Sequence, residues 1–460
     1  YLFNTLALID PQPPATLLSL YGWVRLTGES ELATRMLSAL ASTLTLAATY
    51  QIARTLINQR TAILALLITA ITPFQVWYAQ DVRSYALWTA TSALSAWAFL
   101  LALHQPTNRK RWVAYTLTAT AAIYTIYLEG FFLIAQNLVL LANLPKRPRL
   151  LKPWLASQLA IGTLLAPWFL RPSLRQSGYQ PTAGPADIPW AFQSLLFGET
   201  TPHSLNPTLA HISTHTLTTI AAISLGITAT ALITLARTKR EHAALFLGLY
   251  TTVPITLLAT LTELTGAGFF RPRYVAAASA PLLIATASLL DSTLTTVRYH
   301  TRTLVMATLT TTILLIDSTT LWNYYFTVTK GPPWRDIVRT LQAQATEHDL
   351  VIRNYPDPAF DYYYDAPADA ILLPDSPNPP AAETTERLAS LLPRYHYIWF
   401  MPVPVPWYNG NEVVFQWLQN NAQLISEQWL GETHLLQYSS WEVISLDATH
   451  RTQVHFSDIA

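Results

Sequence analysis

The chain reads "AQDVRSYAL" at positions 79–87, an acid and an arginine two residues apart, between the apolar runs "ILALLITAITPFQVWY" and "LWTATSALSAWAFLLAL". A carboxylate such as Asp81 can take a proton from a reacting hydroxyl. The guanidinium of Arg83 stays ionised and offers a planar fork to an oxyanion. Ionisable residues at membrane depth point to function, whereas a solvated hairpin turn carries the same charges with no chemistry. A second group stands in "GFFRPRYVAAASAPLL", where Arg271 and Arg273 flank a proline and Tyr274 follows. These residues equally suit interfacial anchors with their stems in lipid. A third is "IDPQPPATLLSL", with Asp10 and Gln12 ahead of Pro13 and Pro14. Asp10 there also fits an Asx-type turn before Pro11.

The elements that must position these residues are apolar. Of 460 residues, 51% are hydrophobic and 12% charged, against the roughly 25% charged in soluble domains. Apolar runs recur at 31–54, 61–78, 85–103, 112–127, 130–144, 153–170, 208–236, 243–262, 274–290 and 303–322. Most reach the roughly 17–25 residues that a helix needs to cross hydrocarbon. The expected fold is a polytopic α-helical membrane protein with about ten spans. The runs 112–127 and 130–144 are short and meet at Glu129, which reads as a turn residue, so they form two tilted spans or one broken hairpin. The stretch after Pro14 has only about 13 apolar-rich residues, too short to cross, and is expected to be an interfacial helix with the prolines in its first turn.

Charge divides the chain and orients it. Residues 330–460 contain 7 Lys+Arg and 16 Asp+Glu, leaving +10 for the rest. That tail alternates strand-like runs ("DLVIRN", "AILLP", "HYIWFMP") with helix-like ones ("WRDIVRTLQAQA", "ETTERLASLL", "EVVFQWLQN"). It is expected to be a small α/β domain, 330–460, behind a membrane domain, 1–329. Five alternate loops carry 14 Lys+Arg, the intervening ones five. By the positive-inside rule the first set is cytoplasmic. The "AQDVRSY" turn, the "RPRY" segment and the acidic tail then all face outward. Cysteine is absent, which excludes disulfides and thiol catalysis. The chain begins with Tyr1, without a signal peptide or an opening span, as an N-terminally trimmed fragment is expected to do.

The order of "DPQPP", "GESELATRMLSAL", "ITPFQVWYAQDVRSYAL" and "RPRY", ahead of an α/β tail, resembles the GT-C membrane glycosyltransferases. Within them it is similar to the bacterial branch related to protein O-mannosyltransferases and lipid A aminoarabinose transferases. The resemblance implies a sugar donor on polyprenyl phosphate and a cavity at the outer membrane surface. It also implies an extracytoplasmic acceptor, whether glycan, lipid or protein, and no nucleic-acid partner. The family's acidic motif after its first span is not in this sequence and belongs upstream of Tyr1. The fragment is therefore expected to bind donor better than it turns it over. Gln12 stands where members often carry His or Lys, which weakens the case for a phosphate contact there.

Sugar transfer from a lipid phosphate needs a base for the acceptor proton and cations for the departing phosphate. The resemblance assigns the cations to Arg83, Arg271 and Arg273, with Gln12, Tyr85 and Tyr274 beside them. Asp81 and Asp10 are the acids, Asp81 either as base, as a sugar contact or as an orienter of Arg83. No cofactor is expected; a divalent cation beside Asp81 is an option, but one carboxylate supplies few of the oxygens it needs. His203, His211 and His215 lack the glutamate of a zinc helix. Glu199 is a candidate acceptor contact, and "FDYYYD" at 360–365 is either a sugar-stacking cluster or α/β core. A lipid-linked-sugar flippase would need polar residues and broken helices at mid-membrane. A noncatalytic lipid-binding scaffold would lack the upstream acids.

Overall fold

The computed structural model describes residues 13–170, 188–198, 214–265, 270–296, 299–326, 332–377, 379–403, 408, 412–431 and 433–439. Asp10, Gln12, Glu199, His203 and His211 lie outside them. The chain forms two compact units, 1–328 and 329–460.

The first unit is helical. Helix α1, Ala15–Thr27, follows the proline pair and has no buried residue. Ser30 caps α2, Glu31–Leu56, by accepting from Ala33 N. Asn58 caps α3, Gln59–Ile71, in the same way, its Oδ1 accepting from Thr61 N at 2.8 Å. Such caps satisfy donors that a helix start leaves orphaned. Pro73 then opens α4, Pro73–Ala79, after a bend of 59°. A proline disfavours helical geometry in the residue before it, and Thr72 accordingly sits at ψ 123°. The bend also receives α9, Ile188–Phe197, through Gly198. Gly198 has φ +87°, and a Cβ there would meet the Pro73 Cβ at 2.9 Å. Glycine satisfies both demands.

Helix α5, Ser84–His104, lies at the centre of the unit, buried over most of its length. Ala86 and Ala90 meet Ala41 of α2, and Thr89 Oγ1 lies 3.4 Å from Thr45 Oγ1. Small residues let membrane helices approach where no hydrophobic driving force separates protein from lipid. Against α5 pack α6, Arg109–Thr125, and α7, Glu129–Asn143, and α8, Leu151–Phe169, packs on α6. The bundle is completed by α10, Thr214–Arg237, and α11, Glu241–Thr265. A 3-10 segment, Pro272–Ala278, then leads into α12, Ser279–Thr296, and α13, Tyr299–Phe326, follows. Among the described residues, each of the ten apolar runs of the sequence contains helix. Among the described residues, five are long and apolar enough to cross a membrane, six if α3 and α4 form one bent span.

The second unit is a mixed sheet with helices. Its elements are α14, Trp334–Gln344; β1, Leu350–Arg353; α15, Pro358–Tyr363; β2, Asp369–Leu372; α16, Ala381–Leu391; β3, Tyr397–Met401; α17, Val413–Asn421; β4, Gln423–Leu430; and β5, Thr433–Ser439. The strand order is β2-β1-β3-β5-β4, with β1 parallel to both neighbours and β5 antiparallel to both of its own. Leu350, Ile352, Ile398 and Phe400 pack on one face, Val351, Trp399 and Met401 on the other. A strand covered on both faces reads as a continuous apolar run, which is how β1 and β3 appear in the sequence. The β4–β5 hairpin escaped that reading because β4 is a half-exposed edge strand with mixed residues. In "FDYYYD", Phe360 is buried and stacks on Tyr364 at 4.7 Å, with the Arg353 guanidinium 4.6 Å above Phe360. Burial pushes the Tyr364 hydroxyl up to about 12, and it donates to Ala368 C=O at 2.5 Å. Phe360 and Tyr364 are thus core residues, while Tyr362 is exposed.

Candidate active site

The "AQDVRSYAL" turn joins α4 to α5, and three contacts hold it. Asp81 N donates to Tyr78 C=O at 3.3 Å. Ser38 Oγ on α2 donates to the Asp81 carbonyl at 2.7 Å. The Tyr78 and Tyr85 rings meet nearly edge-on at 5.0 Å. Arg83 takes the N-cap position of α5 in extended geometry, φ −135° and ψ 170°, with its side chain exposed. Tyr85 is buried at the second position of the helix, and Asp81 is half-buried.

The "RPRY" segment reaches the same place from 190 residues away in sequence. Arg271 starts the 3-10 segment in extended geometry, and its carbonyl accepts from Tyr274 N at 2.9 Å. The Arg273 guanidinium lies 5.4 Å from the Tyr274 ring centroid, a cation–π distance. Its Nε is buried with no hydrogen-bond partner. Gln75 of α4 fixes the segment's position, because its Nε2 donates to Ser279 Oγ at 2.6 Å and Ser279 Oγ donates to Ala276 C=O at 2.6 Å. As a result Arg273, Tyr274, Arg83 and Asp81 all lie within electrostatic reach of the Tyr85 hydroxyl. Arg271 contributes through its backbone.

Several neighbours were invisible to the sequence reading. Gln80 Nε2 donates to Tyr325 Oη at 2.7 Å, and Tyr324 Oη donates to Gln80 Oε1 at 3.3 Å. Trp77 and Tyr324 pack with ring centroids 4.6 Å apart. Tyr324 also lies within electrostatic reach of Arg35 and Asp81. The aromatic end of α13, "WNYYF", therefore covers the turn, and its aromatic density was the one signal available.

Glu129 corrects the reading of it as a turn residue. It is 1% exposed at the first position of α7. Trp88 Nε1 donates to its Oε2 at 2.7 Å and Ser92 Oγ to its Oε1 at 3.0 Å. The Tyr250 hydroxyl lies 3.0 Å from Ser92 Oγ, and Gln136 Nε2 donates to Tyr250 Oη at 3.3 Å and to Ser95 Oγ at 3.2 Å. A break of three residues between α6 and α7 brings the carboxylate inward, where apolar flanks had concealed its partners. Among the described residues, no three His, Cys, Asp or Glu side chains gather as metal ligands.

A bundle of apolar helices with a cationic, tyrosine-lined mouth at the start of α5 has the fold of the GT-C membrane glycosyltransferases, related to the O-mannosyltransferases and aminoarabinose transferases. The family model for dolichyl-phosphate-mannose-protein mannosyltransferase matches residues 11–170. ArnT from Cupriavidus metallidurans in the apo state superposes with a TM-score of 0.58 at 14% identity, over 93% of this chain and 87% of that one. The same protein bound to undecaprenyl phosphate gives 0.56 at 14% identity, over 94% and 88%. The Archaeoglobus fulgidus oligosaccharyltransferase tethered to an acceptor peptide gives 0.52 at 11% identity, over 94% of this chain and 66% of that one. No curated protein matches the sequence.

Proposed function

We propose that the chain transfers a sugar from a polyprenyl-phosphate donor to an extracytoplasmic acceptor, with inversion at the sugar. The observation that carries this reading is that the Arg273 guanidinium lies 5.4 Å from the Tyr274 ring and that Arg83, Arg273 and Asp81 are all within electrostatic reach of the Tyr85 hydroxyl. Two guanidiniums beside tyrosine hydroxyls suit a phosphate whose charge grows as the sugar departs. The structural likeness to a protein bound to undecaprenyl phosphate supports the donor class. In the proposed step the acceptor oxygen attacks the anomeric carbon, the bond from that carbon to the phosphate oxygen breaks, and polyprenyl phosphate leaves. The acceptor proton passes to a carboxylate, for which Asp81 and Asp10 are the candidates within this chain. Gln12 and Arg271 belong to the proposed donor-binding set, Arg271 at its edge. A divalent cation beside Asp81 is an optional part of the reading, tested by chelation. In this reading the Asp81 turn and residues 330–460 face the outer side, which the cation bias of the loops supports.

The test is donor binding and sugar transfer by the full chain in liposomes carrying a polyprenyl-phosphate sugar. Arg83→Ala and Arg273→Ala should each weaken donor binding by about 10-fold or more, the loss of a charge-assisted hydrogen bond. Lysine should rescue in part, because it lacks the planar fork. Losses below about 5-fold for both, the scale of exposed ion pairs, would return the arginines to the role of interfacial anchors.

A further inference from the structure

A cavity of about 750 Å³ opens at the end of the bundle away from the Asp81 turn. It lies where the α2–α3 turn, the α10–α11 turn and the last turns of α12 meet, and Asn58, Arg60, Thr238, Arg240, Ser288 and Asp291 line it. Ser38 of α2 touches the Asp81 turn, and Asn58 follows 20 residues later, just past the end of that helix. At 1.5 Å per residue the two sites are roughly 30 Å apart, a full membrane core. The cavity is therefore no extension of the candidate active site.

Its wall is built from partnered side chains. Asp291 is 6% exposed, and its Oδ2 accepts from Asn58 Nδ2 at 2.9 Å and Thr61 Oγ1 at 2.8 Å. That clamp joins α12 to the start of α3 and leaves Arg60 at the helix's second position, beside its N-terminal N–H groups. Helix N-termini favour anions. Arg240 immediately precedes α11, so a second helix start stands across the cavity. Among the described residues, the cavity is lined by Arg60, Arg240 and Asp291 as its charged groups, a balance of one positive charge, with Ser288, Ser292, Thr234 and Thr238 as hydroxyls. Ile63 and Leu235 supply apolar wall.

We infer that this cavity binds a phosphodiester of net single negative charge whose headgroup bears hydroxyls, supplied by a glycerol-headed phospholipid of the adjacent leaflet. The arginines take the phosphodiester, while the hydroxyl side chains take the headgroup hydroxyls and Asp291 holds the wall. Ile63, exposed on α3, lies where acyl chains would run. Basic pockets between membrane helices are a recurrent form of lipid headgroup site.

The test is native mass spectrometry of the full detergent-purified chain titrated with phosphatidylglycerol, phosphatidylcholine or soluble glycerol 3-phosphate. Phosphatidylglycerol should be retained in preference to phosphatidylcholine. The double variant Arg60→Gln/Arg240→Gln should weaken its retention by about 30-fold, as expected for two arginines near a membrane surface. Ile63→Trp, which fills the cavity without touching its charge, should also reduce retention, so the proposal does not depend on one variant's folding. Equal retention of the two lipids, or unchanged binding by both variants when they elute as folded monodisperse protein, overturns the site. Glycerol 3-phosphate displacing phosphatidylglycerol at equal concentration assigns a soluble ligand and overturns the lipid source.

Discussion

Gln75 and Ser279 are 204 residues apart in sequence and 2.6 Å apart in the fold, and their hydrogen bond is buried. It ties the short helix before Asp81 to the segment that carries Arg273 and Tyr274. Gln75→Ala leaves Ser279 without its donor and frees the 3-10 segment. A cost of about 1–3 kcal/mol is expected for a buried polar group losing its partner. If the bond positions the site, donor binding should fall in Gln75→Ala. The loss should be non-additive with Arg273→Ala in a double-mutant cycle. Strict additivity would mean that Gln75 acts on stability alone.

Asp81 separates two roles by kinetics. As the base, Asp81→Asn should lower kcat by about 10²- to 10⁴-fold with donor affinity retained. As a sugar contact or an orienter of Arg83, it should raise KM instead. Steady-state transfer assays on the variant distinguish the two.

Glu129 is a stability determinant of the bundle. Glu129→Ala strands the buried Trp88 indole N–H and takes one acceptor from the Ser92 hydroxyl, which keeps the Tyr250 hydroxyl at 3.0 Å. At about 1–3 kcal/mol for the unsatisfied group, thermal unfolding in detergent should shift down by several degrees. Glu129→Gln keeps one acceptor oxygen and should lose less. Equal losses for the two variants would show that the network does not depend on the acceptor atoms.

Gly198→Ala should destabilise the contact between α9 and the Pro73 bend. The positive φ costs about 1–2 kcal/mol for a residue with a Cβ, and the 2.9 Å approach to Pro73 adds to it. Gly130→Ala is the control: it is helical with open space around it, and about 0.5–1 kcal/mol of gain is expected. Paired thermal melts read both, and a neutral Gly198→Ala would mean that the bend yields.

The apolar runs alone determined that the first unit is built of helices, because a chain in hydrocarbon must satisfy its backbone hydrogen bonds within each segment. Proline and cap chemistry were equally local: Pro13 and Pro14 marked α1, and the pattern of β1 and β3 marked a covered sheet. Asp81, Arg83, Arg271, Arg273 and Tyr274 stood out in sequence because charges and anchors are conspicuous against apolar runs. What only the tertiary structure decided was which of them meet. The Gln75–Ser279 bond and the bend at Pro73 bring Arg273 and Tyr274 to Tyr85, while Arg271 enters through its carbonyl. Glu129 shows the reverse case, since its partners lie on other helices and a carboxylate at a break between apolar runs looks solvated. Asp291 was hidden likewise by its partners Asn58 and Thr61, more than 200 residues upstream. Helix periodicity fixes which side chains share a face; which faces then meet is set by long-range packing, and that information is spread over the whole chain.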